Sequence, residues 1–474
     1  MKKNVLFILI AWIGLIESSR SATYSVFSGQ SIQTKINAAS NGDTVAIFGG
    51  TYTENLTVSK DVRLQLVAGQ TVTLAGNITF SGLSSAYTFA NFTWGGQTDK
   101  RITVNNCSSF TINGIKSAAG SIDSTGTGNL LINAVTLSNG SIAVNSSSNT
   151  KIIDTSVSGG MSFSQGTMAQ VIRSTNGGGN SANSQVDFIH TRVNGSYGST
   201  GNKMSDNVTP SRLSFSRCTV TETLDSSSGL TYVSYSTLRS FRQRNFGRAF
   251  ILGSIISERG NPWASFPGNT VEAHDSSVVS LMNSSIRNGA DYGNYYYRFD
   301  NQAVWVSSSA TIIALNNVVF DYYGDYTGSR AFRLDGSANN YISSNIGYSI
   351  QNEFVYGPFA NNTVTYNLSQ TGEGGGVLLQ NRLNADPAFV DTTDFVLGPT
   401  SLARNAGDPD PRFNDIDGTR NDMGIYGGPF YDPDGRTGSK PVVMQMELDQ
   451  TQFLRGDYNT LKLKAVGSAT GTAP

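Results

Sequence analysis

The stretch FTINGI, residues 110–115, returns as LLINAV at residues 130–135. A looser copy surrounds Ile152. A second marker, Gly120-Ser-Ile122, returns as Gly140-Ser-Ile142 and again as Gly160-Met-Ser-Phe163. For both markers the first return comes after 20 residues. Two independent markers with one period define a repeat. Each repeat holds short runs of alternating apolar residues separated by Gly, Ser and Asn, a pattern of strands and turns. Twenty residues hold three short strands, and one such unit cannot bury its own apolar side chains. Stacking the units pairs every strand with the coils above and below and creates one continuous core. The sequence therefore predicts an all-β, right-handed parallel β-helix. Ile112 and Ile132 stack inside it, and Asn113 and Asn133 form an amide ladder one coil apart.

The strand motif persists as the coils lengthen. LSFSRCTV (213–220), YVSYSTL (232–238), FILGSI (250–255), VSLMNSSI (279–286), IIALNNV (312–318) and YISSNI (341–346) follow, then a weaker VTY (364–366). Open strand edges at the ends of such a stack invite aggregation and need covers. Residues 31–40 supply one as a short amphipathic helix with Ile32, Ile36 and Ala39 on one face. An irregular segment before residue 430 supplies the other.

Composition agrees. The chain has 474 residues, 51 of them Gly and only 14% charged, a mixture suited to short strands and tight turns. Lys2 and Lys3 followed by an apolar run from Val5 to Ile16 and a small polar stretch read as a signal peptide. Cleavage after Ser21 places Ser19 at the −3 position. The chain is then secreted, or held at the cell surface, with no later segment apolar enough to span a membrane. Cleavage lowers the net charge from −1 to −3, so nucleic acid is excluded as a partner despite the basic run from Arg239 to Arg248. The two cysteines, Cys107 and Cys218, lie about five coils or ~24 Å apart. That is too far for a disulfide, which needs Cα atoms within about 7 Å, so both are expected as buried thiols. The two histidines are His190 and His274, and His274 reads as an isolated surface residue.

The boundaries expected are a signal peptide over 1–21, the capped β-helix over 22–430 and a linker over 431–441. A short β tail follows over 442–474, either paired against the helix or the start of a truncated module, with strands near 442–448 and 461–466.

Chemistry is expected in the stretched coils. Four insertions, at residues 241–248, 258–269, 287–301 and 321–330, are read as one lateral wall. It carries Arg242, Arg244, Arg248, Arg259, Arg298 and Arg330 with Trp263, Tyr292, Tyr295, Tyr296, Tyr297, Tyr322, Tyr323 and Tyr326. Its carboxylates are Glu258, Asp291, Asp300, Asp321 and Asp325. Aromatic faces stack on sugars, guanidinium forks clamp uronate or sulfate, and clustered carboxylates hold Ca²⁺. The expected partner is a polysaccharide or surface glycan, and an acidic polymer suits the arginines. The substrate-binding set is Arg242, Arg244, Arg248, Trp263, Tyr292, Tyr295, Tyr296, Tyr297, Tyr322 and Tyr323. A second acidic group, Asp415, Asp417 and Asp422, offers either turn chemistry or a structural Ca²⁺, but it does not fit the EF-hand spacing.

The stretch SIQTKINAASNGDTVAIFGGTYTENLTVSKDVRLQLV (31–67) resembles the N-terminal coils of secreted pectate-lyase-like β-helix proteins. NADPAFVDTTDFVLGPTSLARNAGDPDP (384–411) and DIDGTRNDMGIYGGP (415–429) resemble the far end of bacterial members of that superfamily. The resemblance covers roughly residues 24–430 and implies polysaccharide lyase or glycoside hydrolase chemistry. In the calcium-dependent lyases of that group an Arg or Lys serves as base. That implies Arg298 or Arg330 here, with Asp300, Asp321 and Asp325 on calcium. The active-site motifs of pectate lyases and polygalacturonases are not present. A non-enzymatic adhesion or structural module is therefore the alternative.

Overall fold

The computed structural model describes residues 21–95, 99–201, 210–258, 269–288, 302–322, 329–371, 380–433, 435, 442–448 and 463–468. One coil shows the plan. Ser109–Asn113 lies on a first face, Lys116–Ser117 on a second and Ser121–Thr125 on a third. Each pairs in parallel with its counterpart one coil later: Asn129–Asn133, Thr136–Leu137 and, for the third strand, Ile142–Asn145. The first face continues through 13 strands from Ala86–Ala90 to Thr363–Thr365. The stack is a right-handed parallel β-helix, the handedness that parallel crossovers favour.

Register explains the core. Down the first face run Ile112, Ile132, Ile152, Val171, Phe188, Phe215 and Val233, each opposite the next, and all are buried. Phe188 and Phe215 stack with centroids 4.7 Å apart and planes within 4°. The amide ladder forms: Asn133 Nδ2 donates to Asn113 Oδ1 at 3.0 Å.

The corner between first and second faces repeats one backbone state. Ala134, Asp154, Arg173, His190, Arg217, Tyr235, Asn283 and Asn316 all have positive φ, between 46° and 55°. The residue after each corner turns inward and bridges coils. Thr155, Ser174, Thr191, Cys218, Ser236 and Ser254 fill this column first, with Ser174 Oγ accepting from the Thr155 N–H and Ser236 Oγ from the Cys218 N–H. Asparagines then take over. Asn317 donates to Asn345 at 2.9 Å, Asn345 to Asn367 at 3.0 Å and Asn367 to Asn381 at 3.0 Å. Cys218 sits in this column, and Cys107 is likewise free and buried.

The helix forms over Ile32–Ala38 with Ser31 as N-cap. Ile32 and Ile36 are buried, and Glu54 from the following coil accepts from the N–H groups of Ile32 and Gln33. At the far end, residues 384–433 run back along the corner flank. Asn283 donates to the carbonyls of Ile425 and Gly427, Asn316 to Asn421, and Tyr341 to Asp408. Val442–Leu448 and Leu463–Ser468 pair antiparallel. No helix among the described residues is long and apolar enough to cross a membrane.

Candidate functional site

The third face changes character midway along the stack. Thr79, Thr103, Asp123, Ala143, Ser162, Asn180 and Gly198 form one outward column in its first half. The same column continues as Asp225, Arg242, Glu272, Trp305, Arg333 and Tyr356. Leu224, Phe241, Val271, Val304 and Phe332 alternate with these residues and are buried, so period-two alternation aims the charged and aromatic residues outward. Successive coils space them about 4.8 Å apart.

The column is tied together by charge. Arg242 Nε lies 2.5 Å from Glu272 Oε2, and its Nη1 lies 3.6 Å from Asp225. Arg244 Nη2 pairs with Asp225 at 2.7 Å. Trp305 Nε1 donates to Asp335 at 2.9 Å, and Arg333 Nε lies 2.7 Å from the same oxygen. Arg330 pairs with Glu353 at 2.6 Å, and its guanidinium sits 4.0 Å above the Tyr356 ring. Asp335, Glu353 and Tyr356 border an open depression closed by Gly357 and Pro358.

His274 stands beside this column. Its Nε2 lies 3.1 Å from Glu272 Oε2 and its Nδ1 lies 2.6 Å from Ser307 Oγ. Its ring meets Trp305 edge-on at 4.9 Å. Burial raises the affinity of Glu272 for a proton, but donation from His274 and Arg242 wins and holds the carboxyl down to about 2. The expectation of an isolated surface histidine is thereby corrected. The residue that orients it is Glu272, two positions back.

Three of the four expected insertions leave from equivalent points. The segments between Ile255–Glu258 and Val271–Ala273, between Ser285–Asn288 and Gln302–Ser307, and between Val318–Tyr322 and Arg330–Asp335 each join the second face to the third. The strands that flank them stack in register. The fourth, residues 241–248, is no insertion. Arg242 belongs to Thr237–Gln243 on the third face, and Arg248 opens Arg248–Leu252 on the first. Arg248 is therefore on a different face from Arg242 and Arg244. Tyr322 is also displaced from the expected wall: its ring is 1% exposed and its hydroxyl meets Thr270 Oγ1 at 2.5 Å. Asp321, half-buried with φ 65°, is the next-to-last residue of the second-face strand Val318–Tyr322, after which the third insertion leaves. Trp263, Tyr292, Tyr295, Tyr296, Tyr297, Arg298, Asp300, Tyr323 and Asp325 lie outside the described residues, as do Arg259, Asp291 and Tyr326.

The second acidic group has the bonding of a turn. Asp415 accepts from the N–H groups of Asp422 and Gly428, Asp417 from Thr419, and Asp422 from Asn405. Among the described residues no three His, Cys, Asp or Glu side chains converge on a point that could hold a metal.

Glu272, Trp305, Ser307, Arg333, Asp335, Glu353 and Tyr356 were not among the residues expected. Their signal is in the sequence once strands are laid in register: LDSS (224–227), FRQR (241–244), VEAH (271–274), VWVS (304–307) and FRLD (332–335) align without gaps.

No family model matches the sequence, and no curated protein matches it. Among solved structures it is similar to pectate lyase Pel9A, at 13% identity over 86% of this chain and 96% of that one, with a TM-score of 0.25. It is also similar to the PL6 family polysaccharide lyase Pedsa3628 from Pseudopedobacter saltans. That match has 12% identity over 77% of this chain and 94% of that one, and a TM-score of 0.31. These values transfer no residue roles. On the register of its stacked strands, the chain has the right-handed parallel β-helix fold.

Proposed function

We propose that this is an extracellular β-helix protein whose third face binds an extended acidic polysaccharide, and that the loops bordering the face complete a cleavage site. The observation that supports this is the in-register column Arg242, Glu272, Trp305, Arg333 and Tyr356. A polymer laid along the axis meets one row of cationic, polar and aromatic groups per coil, at a spacing comparable to a sugar ring. Trp305 and Tyr356 offer stacking faces, and Arg333 and Arg330 lie close to them to receive anionic substituents. In this reading Arg298 or Arg330 takes the sugar proton, with Asp300, Asp321 and Asp325 on calcium.

The test is incubation with pectins, alginates and sulfated glycans, with calcium and with chelator, read by ultraviolet absorbance of unsaturated products. A calcium-dependent signal on one polymer supports a lyase. Silence on all of them removes the lyase step and leaves binding.

A second reading has its own observation. Arg242, Arg244, Arg330 and Arg333 each already hold a carboxylate, which lowers the positive charge offered to a polyanion. A non-enzymatic surface or adhesion module accommodates that neutralisation. Glycan binding without any turnover favours it.

A further inference from the structure

The pairing around His274 has a chemistry that polysaccharide binding does not use. We propose that Ser307, His274 and Glu272 form a nucleophilic relay that hydrolyses esters, with acyl groups carried on a sugar as the natural class of substrate.

Register assembles the three groups. Glu272 projects from the strand Val271–Ala273, and His274 directly follows that strand, two residues further on. Ser307 follows Val306, which lies opposite Ala273 on the next coil, so the serine stands beside the histidine. A nucleophile within hydrogen-bond reach of a base, with the base oriented by a third group, is the arrangement that activates a hydroxyl. Here the two contacts are 2.6 Å and 3.1 Å. The orienting carboxylate is itself fixed, by Arg242 at 2.5 Å and by Asn269 Nδ2 at 3.0 Å.

The charge state of Glu272 decides the tautomer. An ionised carboxylate only accepts hydrogen bonds, so His274 carries its proton on Nε2. In the neutral imidazole Nδ1 is then the bare nitrogen and accepts from the Ser307 hydroxyl. This is the protonation pattern a general base needs before attack. Glu272 is 5% and Ser307 8% exposed, both buried, while His274 keeps 15% of its side-chain surface. The orienter and the nucleophile are thus both enclosed, and the partly exposed imidazole beside Trp305 marks the side from which an acyl group approaches.

The step balances without a cofactor. Ser307 Oγ bonds to the ester carbonyl carbon as its proton passes to His274 Nδ1. The bond from that carbon to the alkoxy oxygen breaks, and the leaving alcohol takes the proton from Nδ1. Water then attacks the acyl-serine by the same route, releasing the carboxylic acid and restoring the hydroxyl. The N–H groups of the exposed turn at Ser308 and Ser309, both with positive φ, are the nearest backbone donors in sequence for the oxyanion.

The sugar as acyl carrier rests on the polysaccharide reading; the ester hydrolysis itself does not, and a small aryl ester tests it. The full chain is incubated with an aryl acetate, and separately with a fluorophosphonate whose adduct is mapped by peptide mass spectrometry. The expected result is turnover, an adduct on Ser307, and a drop of about a thousandfold or to background in both Ser307→Ala and His274→Ala with unchanged melting temperature. Absence of turnover in the wild type, an adduct elsewhere, or retained turnover in Ser307→Ala overturns it. If Ser307→Ala unfolds, the adduct position on the wild type decides. Glycan affinity, measured in parallel, fails or survives separately.

Discussion

Arg242 Nε lies 2.5 Å from Glu272 Oε2 on the following coil, and Glu272 in turn holds His274. One carboxylate thus links two coils and anchors the imidazole. Arg242→Ala removes its main charge partner. Arg242 is partly exposed at 37%, so solvent screens the pair. The expected loss is about 1–2 kcal/mol, read from urea denaturation. A variant as stable as the wild type would show that the pair contributes nothing.

Acid should destabilise the protein through the same residue. The folded Glu272 carboxyl is held at about 2 against an ordinary 4.5, despite burial, by His274 and Arg242. A depressed carboxyl contributes stability that is present above its unfolded value and is lost as the pH falls towards its folded value. The free energy of unfolding, read from urea denaturation, should therefore drop between about pH 4.5 and 2 by an amount on the order of 3 kcal/mol. Glu272→Gln should be less stable at neutral pH and show a shallower decline across that window.

The asparagine column makes a prediction about the far half of the stack. Asn345 is fully buried and bonds to Asn367, to the Ala314 carbonyl and, as acceptor, to Asn317. Asn345→Ala leaves these partners unsatisfied in a dry interior. A cost of about 2–4 kcal/mol is expected, seen as a lower denaturant midpoint.

The repeated corner makes an opposite prediction. Ala134 has φ 52°, a conformation in which a Cβ costs roughly 1 kcal/mol. Ala134→Gly should raise stability by about that much. At the equivalent position Gly253, φ 59°, a Cβ would meet the Tyr235 ring at 2.4 Å. Gly253→Ala should accordingly destabilise.

The thiols should be silent in the folded protein. Burial pushes Cys218 up to about 12 and raises Cys107 as well. A thiol-specific chromogen should titrate neither cysteine natively and both after denaturation. Rapid native reaction at Cys218 would show that its column opens.

The fold was readable because its period is written twice, in FTINGI/LLINAV and in the Gly-Ser-Ile marker. Stacking then left one way to bury Ile112 and Ile132. The Asn113–Asn133 ladder followed from the same period. The site was less readable for a definite reason. Arg242 and Arg244 stood out as a basic run, but Glu272, Trp305, Arg333 and Tyr356 become neighbours only when coils of different length are set in register. Long insertions at residues 259–268 and 289–301 interrupt the spacing that would have revealed it. Arg248 and Tyr322 went astray because composition assigned them to a wall, whereas the turn after Gln243 and inward alternation decide where they point.

The most direct test of the central claim is calorimetric titration of glycans into the wild type, Trp305→Ala and Arg333→Ala. The account predicts that an extended acidic polymer binds the wild type and that each variant weakens it about tenfold or more. Equal affinity in all three proteins would contradict it and place any glycan site elsewhere on the helix.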